Sequence, residues 1–452
     1  MSHNKLGPVN RPLSEQGIFP GISPWKIFVF MCLVSAGVYF TCAFFLGERA
    51  ISWLAMGNNN SWMFSDYFRH LYFAAVPSET YARGGPDACF PPLAYTLYYF
   101  LYRITSQGGD LPATTIEGMA YQQTAGVPYA LLVFLYYTIA VVILLFSAIL
   151  LWNNGNMLRS ILIIASILLA PQFIQGGIER GNANVLVLGF LMLALKLRTM
   201  ESRKAKEAAL LLIAAAVGFK IYPAVFGFLY IKEGRFKEAG RLILYGIAAC
   251  MIPFLWTGGI DGLKQFLTNV QAISLSSGYG RVESIYGLTW TVTKAVSGQG
   301  SVILSKMMAF LFFFLMLEAA TISQKPYMTV FFLSSLMTFF PGGAYRYTLG
   351  YLTLPMVMFF CENDVRGNFK VNADVISQVK AIGFGLLYAI PIVMGLIMDL
   401  QFESSLIKAP CVELWMYVVA YVLVAFMTVD AFIHRDKTPK AVLKRSGKQG
   451  KK

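Results

Sequence analysis

Residues 127–152 read VPYALLVFLYYTIAVVILLFSAILLW, an apolar run without one charged side chain. Wound as an α-helix at ~1.5 Å per residue, it crosses the ~30 Å hydrocarbon core of a bilayer. Runs of the same kind recur near 25–47, 158–175, 183–199, 241–257, 301–320, 326–341, 344–361, 380–399 and 412–433, which makes ten expected spans. Of 452 residues, 57% are hydrophobic and 13% charged, and the mean hydropathy of +0.59 excludes a soluble domain of this length. No water inside the bilayer satisfies open backbone groups, so the spans must be helical. The expected fold class is an all-α polytopic membrane protein, a single bundle of about 10–12 transmembrane helices with a long outer first loop carrying amphipathic helices.

The net charge of +14 does not point to nucleic acid, because the basic residues form short clusters between apolar runs and share no amphipathic face. Lysines and arginines after His434 hold the C-terminus in the cytoplasm, as do linkers at 196–206 and 232–241 for their own face. Residues 48–126 have no lysine and four arginines against six acidic residues, which suits the opposite side. The expected organisation is a cytoplasmic segment 1–24, a membrane domain 25–433 with outer loops 48–126 and 258–300, and a basic cytoplasmic tail 434–452. Trp25 to Gly47 has no small-residue cleavage site after it and reads as an uncleaved first helix. A cell membrane, plasma or inner, is the expected location, with both termini cytoplasmic.

Glu207 to Ile231 is too short for two spans yet has a cytoplasmic flank at each end, so it reads as a helical hairpin with Lys220-Ile221-Tyr222-Pro223 at its apex. Residues 285–299 are too polar for a span and read as an outer interfacial helix. Three histidines and six scattered cysteines offer no zinc or haem spacing. No cofactor is called for, and a divalent cation would have to use carboxylates. Cys89 and Cys411 both fall outside, and pairing and free thiols stay open.

In the first outer loop, apolar positions 64, 67, 68, 71, 72 and 75 recur at helical spacing around Asp66. Asp66 then either caps that helix or stands as an acid facing water and headgroups; His70, one turn on, can share its face. Gln175 to Asn184 forms a polar knot between two spans, where Glu179, Arg180, Asn182 and Asn184 either cap the next helix or line a cavity. Lys220, flanked by apolar residues, either snorkels or meets an anion such as phosphate. Arg346 lies between Tyr345 and Tyr347 at an outer helix junction and suits a phosphate, with tyrosines for a sugar or for the interfacial belt. Arg281 adds a second outer arginine.

The Asp66 helix followed by Tyr81 and Pro91-Pro92-Leu93, the Gly181-Asn182-Ala183-Asn184 element and Gly218-Phe219-Lys220-Ile221-Tyr222-Pro223 together resemble glycosyltransferase family 87, of the GT-C membrane superfamily, over most of residues 25–360. The resemblance implies a GT-C-like bundle, a polyprenyl-phosphate sugar donor, a lipid or glycan acceptor, and an active site at the outer membrane surface. It makes Asp66 the catalytic acid of the first loop and places Asn182, Asn184 and Lys220 in the site. Around these, Arg180 and Arg346 join Lys220 as phosphate-binding candidates, and Tyr222, Tyr345 and His70 join the asparagines as substrate-binding ones. Phe90 stands where a tyrosine is common in the family, and Arg180 where a glutamine is. Two other readings are a lipid-linked glycan flippase or transporter, which a long acidic outer loop and the lack of an inverted repeat disfavour, and an outer-face acyltransferase or polymerase, for which His70 is the one candidate.

Overall fold

The computed structural model describes residues 18–19, 22–47, 50, 64–106, 128–170, 173–277, 282–341, 345–364, 375–401 and 405–435, and among these there are helices and turns but no strand. Local sequence sets the helix ends. Pro24, which needs no N–H partner in a first turn, opens α1 (Pro24–Leu46). In the first loop, α2 (Ser65–Ala74) packs on α3 (Pro92–Ser106). The run that opens the sequence reading is α4 (Pro128–Trp152), followed by α5 (Met157–Leu168), whose first turn is capped by the Asn156 side chain accepting from the Arg159 N–H. Next come α6 (Asn184–Leu197) and α7 (Arg203–Phe219), the latter capped by Ser202. The remainder is α8 (Phe236–Met251), α9 (Gly259–Ser277), α10 (Ile285–Ser297), α11 (Val302–Ile322), α12 (Pro326–Phe339), α13 (Thr353–Asp364), α14 (Val375–Gln401) and α15 (Ser405–Ile433).

Every residue of α12 from Tyr327 to Phe339 is buried, as expected of a helix that is apolar all round. Helices α11, α13 and α15 pack about it, and α14 joins α15 to α1. On the other side, α6 lies between α4 and α7, and α7 packs on α8.

Six helices are long and apolar enough to cross a membrane: Pro24–Leu46, Leu131–Trp152, Phe236–Leu255, Val302–Ile322, Val375–Ile397 and Leu414–Ile433. The chain is an all-α, multi-pass membrane protein. The other four expected spans are shorter or broken. The run near 158–175 stops as α5 at Leu168 and resumes as a π-helical turn, Ile174–Ile178. The runs at 183–199 and 326–341 become α6 and α12, of 14 residues each, and 344–361 starts as a 3-10 helix, Arg346–Leu352, before α13. All four breaks sit beside polar residues, and irregular backbone at membrane depth survives where it is buried in protein or lines a cavity.

Two further expectations need correction. Residues 258–300, read as a loop with one interfacial helix, contain α9 as well as α10. Helix α9 carries Asp261 and Lys264 on its exposed side, yet Asn269 is buried and donates to the carbonyls of Tyr81 and Ala88 at 2.9 and 3.2 Å, binding it to the first loop. Helix α2 is amphipathic but does not lie on the bilayer surface: eight of its ten residues are buried in protein. The hairpin is present, with α7 ending at Phe219, an extended Lys220 and a 3-10 turn, Tyr222–Gly227. Residues 1–17, 51–63, 107–127 and 436–452, Gly280 and Arg281, the 402–404 link and the side chain of Cys411 lie outside the described residues; Cys89 is a free thiol.

At the end of the bundle that bears the basic linkers, cations close helix ends. Lys232 donates to the carbonyls of Ala320 and Ser323 and to Thr329 Oγ1, each at 2.7 Å, thereby satisfying the last turn of α11. Lys380 is buried between Asp430 Oδ2 at 2.6 Å and the Tyr327 hydroxyl at 2.9 Å, pinning α14 and α15 to α12. Replacing Lys232 by methionine strands the Ser323 carbonyl and leaves that of Ala320 only the Thr329 hydroxyl at 3.4 Å; it is expected to cost about 2 kcal/mol, read as a lower melting temperature of the purified protein in detergent, with Lys232→Arg closer to wild type.

Candidate active site

The polar knot between α5 and α6 holds the start of α2. Two N–H groups at that start have no partner within the helix, and the knot supplies one for each: Phe64 N–H donates to the Glu179 carbonyl at 2.8 Å and Tyr67 N–H to the Arg180 carbonyl at 2.9 Å. Gly181 makes the approach possible. Its φ is +68°, and a Cβ there would stand 2.6 Å from Tyr67 Cβ and 2.8 Å from Phe134 Cε2. The Tyr98 hydroxyl, from α3, donates to the Gly181 carbonyl at 3.3 Å.

This seating brings Asp66 onto the side chains of the knot. Arg180 Nη2 donates to Asp66 Oδ1 at 2.5 Å, and Asn182 Nδ2 donates to Asp66 Oδ2 at 2.7 Å. Asn182 Oδ1 accepts from the Asn184 N–H at 3.0 Å, so its amide orientation is fixed, and Asn184 Oδ1 accepts from the Tyr351 hydroxyl at 2.8 Å. The two sequence readings of Asp66 are thereby separated: its side chain makes no cap bond within α2. Asn182 does cap the start of α6, and it serves Asp66 with its other end.

Burial by itself would push the Asp66 carboxyl up, but the charge and hydrogen bond of Arg180, with His70 and Asn182 behind them, outweigh it and hold the group below its ordinary range. Burial pushes His70 down to about 3, against the pull of Asp66 and with Lys220, Arg69 and Arg180 pushing the same way. The imidazole is therefore neutral at pH 7, and Arg180 and Asn182 carry the stabilisation of the carboxylate there. His70 sits among aromatic rings, with centroids 4.4 Å from Phe90 and 5.1 Å from Tyr98. A carboxylate as buried as Asp66, stripped of its cation, would lose about 3–5 kcal/mol.

Opposite this wall, Lys220 emerges where α7 has ended and Pro223 begins the next turn. It is buried, and its Nζ lies 3.3 Å from the centroid of Phe90 with no ion pair among the described residues. Asp66, His70, Arg180, Asn182, Asn184 and Lys220 all face one cavity of about 500 Å³. Tyr222 and the stacked pair Tyr345–Tyr347, 5.4 Å apart at 17°, close another side. Val270, Ile273, Ala309 and Phe310 form an apolar flank between α9 and α11, with Lys306 at its edge.

Of the residues singled out from sequence, Arg346 and Glu179 are absent from this wall, and Arg281 lies outside the described residues; the 3-10 turn that begins at Arg346 places Tyr345, Tyr347 and Thr348 on the cavity instead. Lys306 and the Arg69–Asp87 pair, 3.1 Å apart, also line the cavity and escaped the sequence reading. For Lys306 a signal existed, since a lysine a turn inside an apolar run is costly unless it meets a polar space. Among the described residues no group of three His, Cys, Asp or Glu side chains is placed to hold a metal ion.

Residues 121–342 match the family model of glycosyltransferase family 87. Over this stretch, just under half of its length, the chain is similar to that family. It is a membrane glycosyltransferase, and a GT-C assignment is consistent with its architecture. The match takes in Arg180, Asn182, Asn184, Lys220, Tyr222 and Lys306, but begins after α2. Asp66 is joined to the family region by the hydrogen bonds described above, and His70 lines the same cavity. No curated protein matches the chain.

Because Gly181 seats the knot on α2, Gly181→Ala is expected to displace Asp66 from Arg180 and Asn182. Loss of glycosyl transfer together with a melting temperature lowered by several degrees is the expected outcome, checked by assay and thermal unfolding of the same preparation.

Proposed function

We propose that this glycosyltransferase moves a hexose or pentose from a polyprenyl-phosphate donor to a lipid or glycan acceptor at the outer face of a cell membrane, with both termini in the cytoplasm. The observation that carries the reading is one cavity presenting an ionised carboxylate, Asp66, and a buried ammonium, Lys220, that has no ion pair among the described residues. A sugar phosphodiester supplies what both groups lack. Its phosphate meets Lys220, and an acceptor hydroxyl beside Asp66 meets a base.

The acceptor oxygen attacks the anomeric carbon as Asp66 takes the hydroxyl proton. The bond from that carbon to the phosphate oxygen breaks, and its electron pair leaves with the polyprenyl phosphate. One glycosidic bond replaces one glycosyl–phosphate bond, and the proton passes to solvent with the products. The leaving phosphate gains a negative charge, so fixed cations aimed at it lower the barrier; Lys220 and Arg180 occupy that role, with Arg346 outside the cavity wall. Tyr222 and Tyr345 offer ring faces to the sugar, and Asn182 and Asn184 offer amides. His70, neutral and set among rings, shapes the pocket beside Asp66.

Helix direction supports this sidedness. Asn184 and Lys220 stand at the cavity ends of α6 and α7, whose other ends run into the basic linker 196–206. By the positive-inside rule the linker is cytoplasmic and the cavity faces out.

The test is transfer of radiolabelled sugar from a panel of polyprenyl-phosphate sugars to membrane lipids and glycans. Asp66→Asn is expected to lower transfer by about 10²–10⁴-fold at equal protein level; transfer at the wild-type rate would sink the assignment. Lys220→Met is expected to raise the donor KM more than it lowers kcat, with Lys220→Arg intermediate. A carboxyl held low stays ionised until the pH falls through its depressed value. The acid limb of kcat/KM for the free enzyme is therefore expected below the ordinary carboxylate range, with no limb near pH 6.5 from His70.

A further inference from the structure

The resting site contains a conflict. Both oxygens of Asp66 are engaged, one by Arg180 and one by Asn182, and a carboxylate so engaged is a poor acceptor for a hydroxyl proton. The two partners differ in the reach of their side chains. Asn182 is tied at its other end to the Asn184 N–H, and its own N–H donates to the Gly177 carbonyl at 3.0 Å. The Arg180 backbone is held as well, its carbonyl accepting from the Tyr67 N–H, but its long side chain lines the cavity and retains 13% exposure.

Charge balance adds a second reason. Lys220, with no ion pair among the described residues, matches the single negative charge of a phosphodiester donor, while the monophosphate that leaves carries up to two. As the acceptor proton reaches Asp66, the carboxylate loses its charge at the moment the phosphate gains one. A guanidinium between them is needed first at the carboxylate and then at the phosphate, whose paired oxygens suit its fork better than a lone ammonium does.

We propose that Arg180 is a shared cation: in the empty site it occupies Asp66, and the phosphate of the donor draws it off, so that Asp66 accepts a hydroxyl only after the donor has bound. This rests on the polyprenyl-phosphate reading above. Arg180 thus acts on the base as a positioning residue and imposes an order of binding, donor before acceptor, which spares the enzyme an acceptor held at an active base with no sugar to receive.

The groups facing Asp66 are Arg180 from the knot, His70 from its own helix, Lys220 from the end of α7, Cys89 from the link before α3, Tyr98 from α3 and Tyr347 from the turn before α13. Infrared difference spectroscopy on the purified full-length protein in lipid nanodiscs isolates the Asp66 carboxylate by subtraction of Asp66→Asn, and polyprenyl phosphate without sugar is the probe. Its binding is measured separately by quenching of intrinsic fluorescence. On binding, the wild-type carboxylate bands are expected to shift and the proton affinity of Asp66 to rise about tenfold or more, or one pH unit.

In Arg180→Gln the high proton affinity is expected already without lipid, and the lipid adds little; Arg180→Lys stands in where that variant does not fold, with a smaller rise than wild type. An Arg180→Gln carboxylate that starts low and rises as in wild type would show repulsion by phosphate alone and overturn the exchange. Lipid binding that leaves the wild-type bands unmoved would overturn it too, with the donor class still standing. A protein that does not bind polyprenyl phosphate loses both the donor reading and the exchange.

Discussion

A carboxylate buried in a membrane protein is tolerable only where cations and hydrogen-bond donors are brought to it, and Asp66 obtains both from a single turn between two helices. That requirement organises this end of the molecule. The turn must come close enough for Arg180 and Asn182 to reach, which demands a glycine at 181; it must present its carbonyls to the first turn of α2, which fixes where that helix begins; and it must end in Asn182, whose second function is to start α6. Chain segments more than a hundred residues apart are therefore locked by one ion pair and a handful of hydrogen bonds. The cavity is what remains between this lock and the broken hairpin that carries Lys220.

The two ends of the bundle use charge differently. Beside the basic linkers, Lys232 and Lys380 are saturated with carbonyls, hydroxyls and a carboxylate, and they close helix ends. Around the cavity, Lys220 rests on an aromatic face and Lys306 stands at an apolar edge. A cation whose hydrogen-bonding capacity is spent holds structure together; one that keeps it can take a ligand. By that distinction the reactive end of the molecule is recognisable without a bound substrate.

Much of this was legible in the sequence because the costs involved are local. Proline after Lys220-Ile221-Tyr222 breaks a helix wherever it occurs, an amide-rich knot cannot cross a bilayer unaided, and an acid at helical spacing from aromatic residues marks one face of a helix. What the sequence could not reveal was which surfaces those faces meet. The amphipathic pattern of α2 fits a bilayer surface and a protein groove equally well, and only the aromatic side chains of α3 and α4 decide for the groove. Helix α9 was passed over because its apolarity is too low for a span, whereas its role is to hold the first loop through Asn269. Arg346 and its tyrosine neighbours are adjacent in sequence, but a 3-10 turn rotates consecutive side chains by about 120°, so they part company in space.

Gly181 packs against Phe134, which lies roughly one and a half turns, about 9 Å, inside the end of α4. The carboxylate consequently sits beneath the rim of the bundle. Depth of this kind bears on a competition built into any base that activates a hydroxyl: water is a hydroxyl as well, and at bulk concentration it outnumbers every acceptor. A sunken site with tyrosine, phenylalanine and valine around it limits how many waters reach the anomeric carbon at once. In the proposed chemistry, that shelter decides between glycosylation and wasteful hydrolysis of an activated sugar.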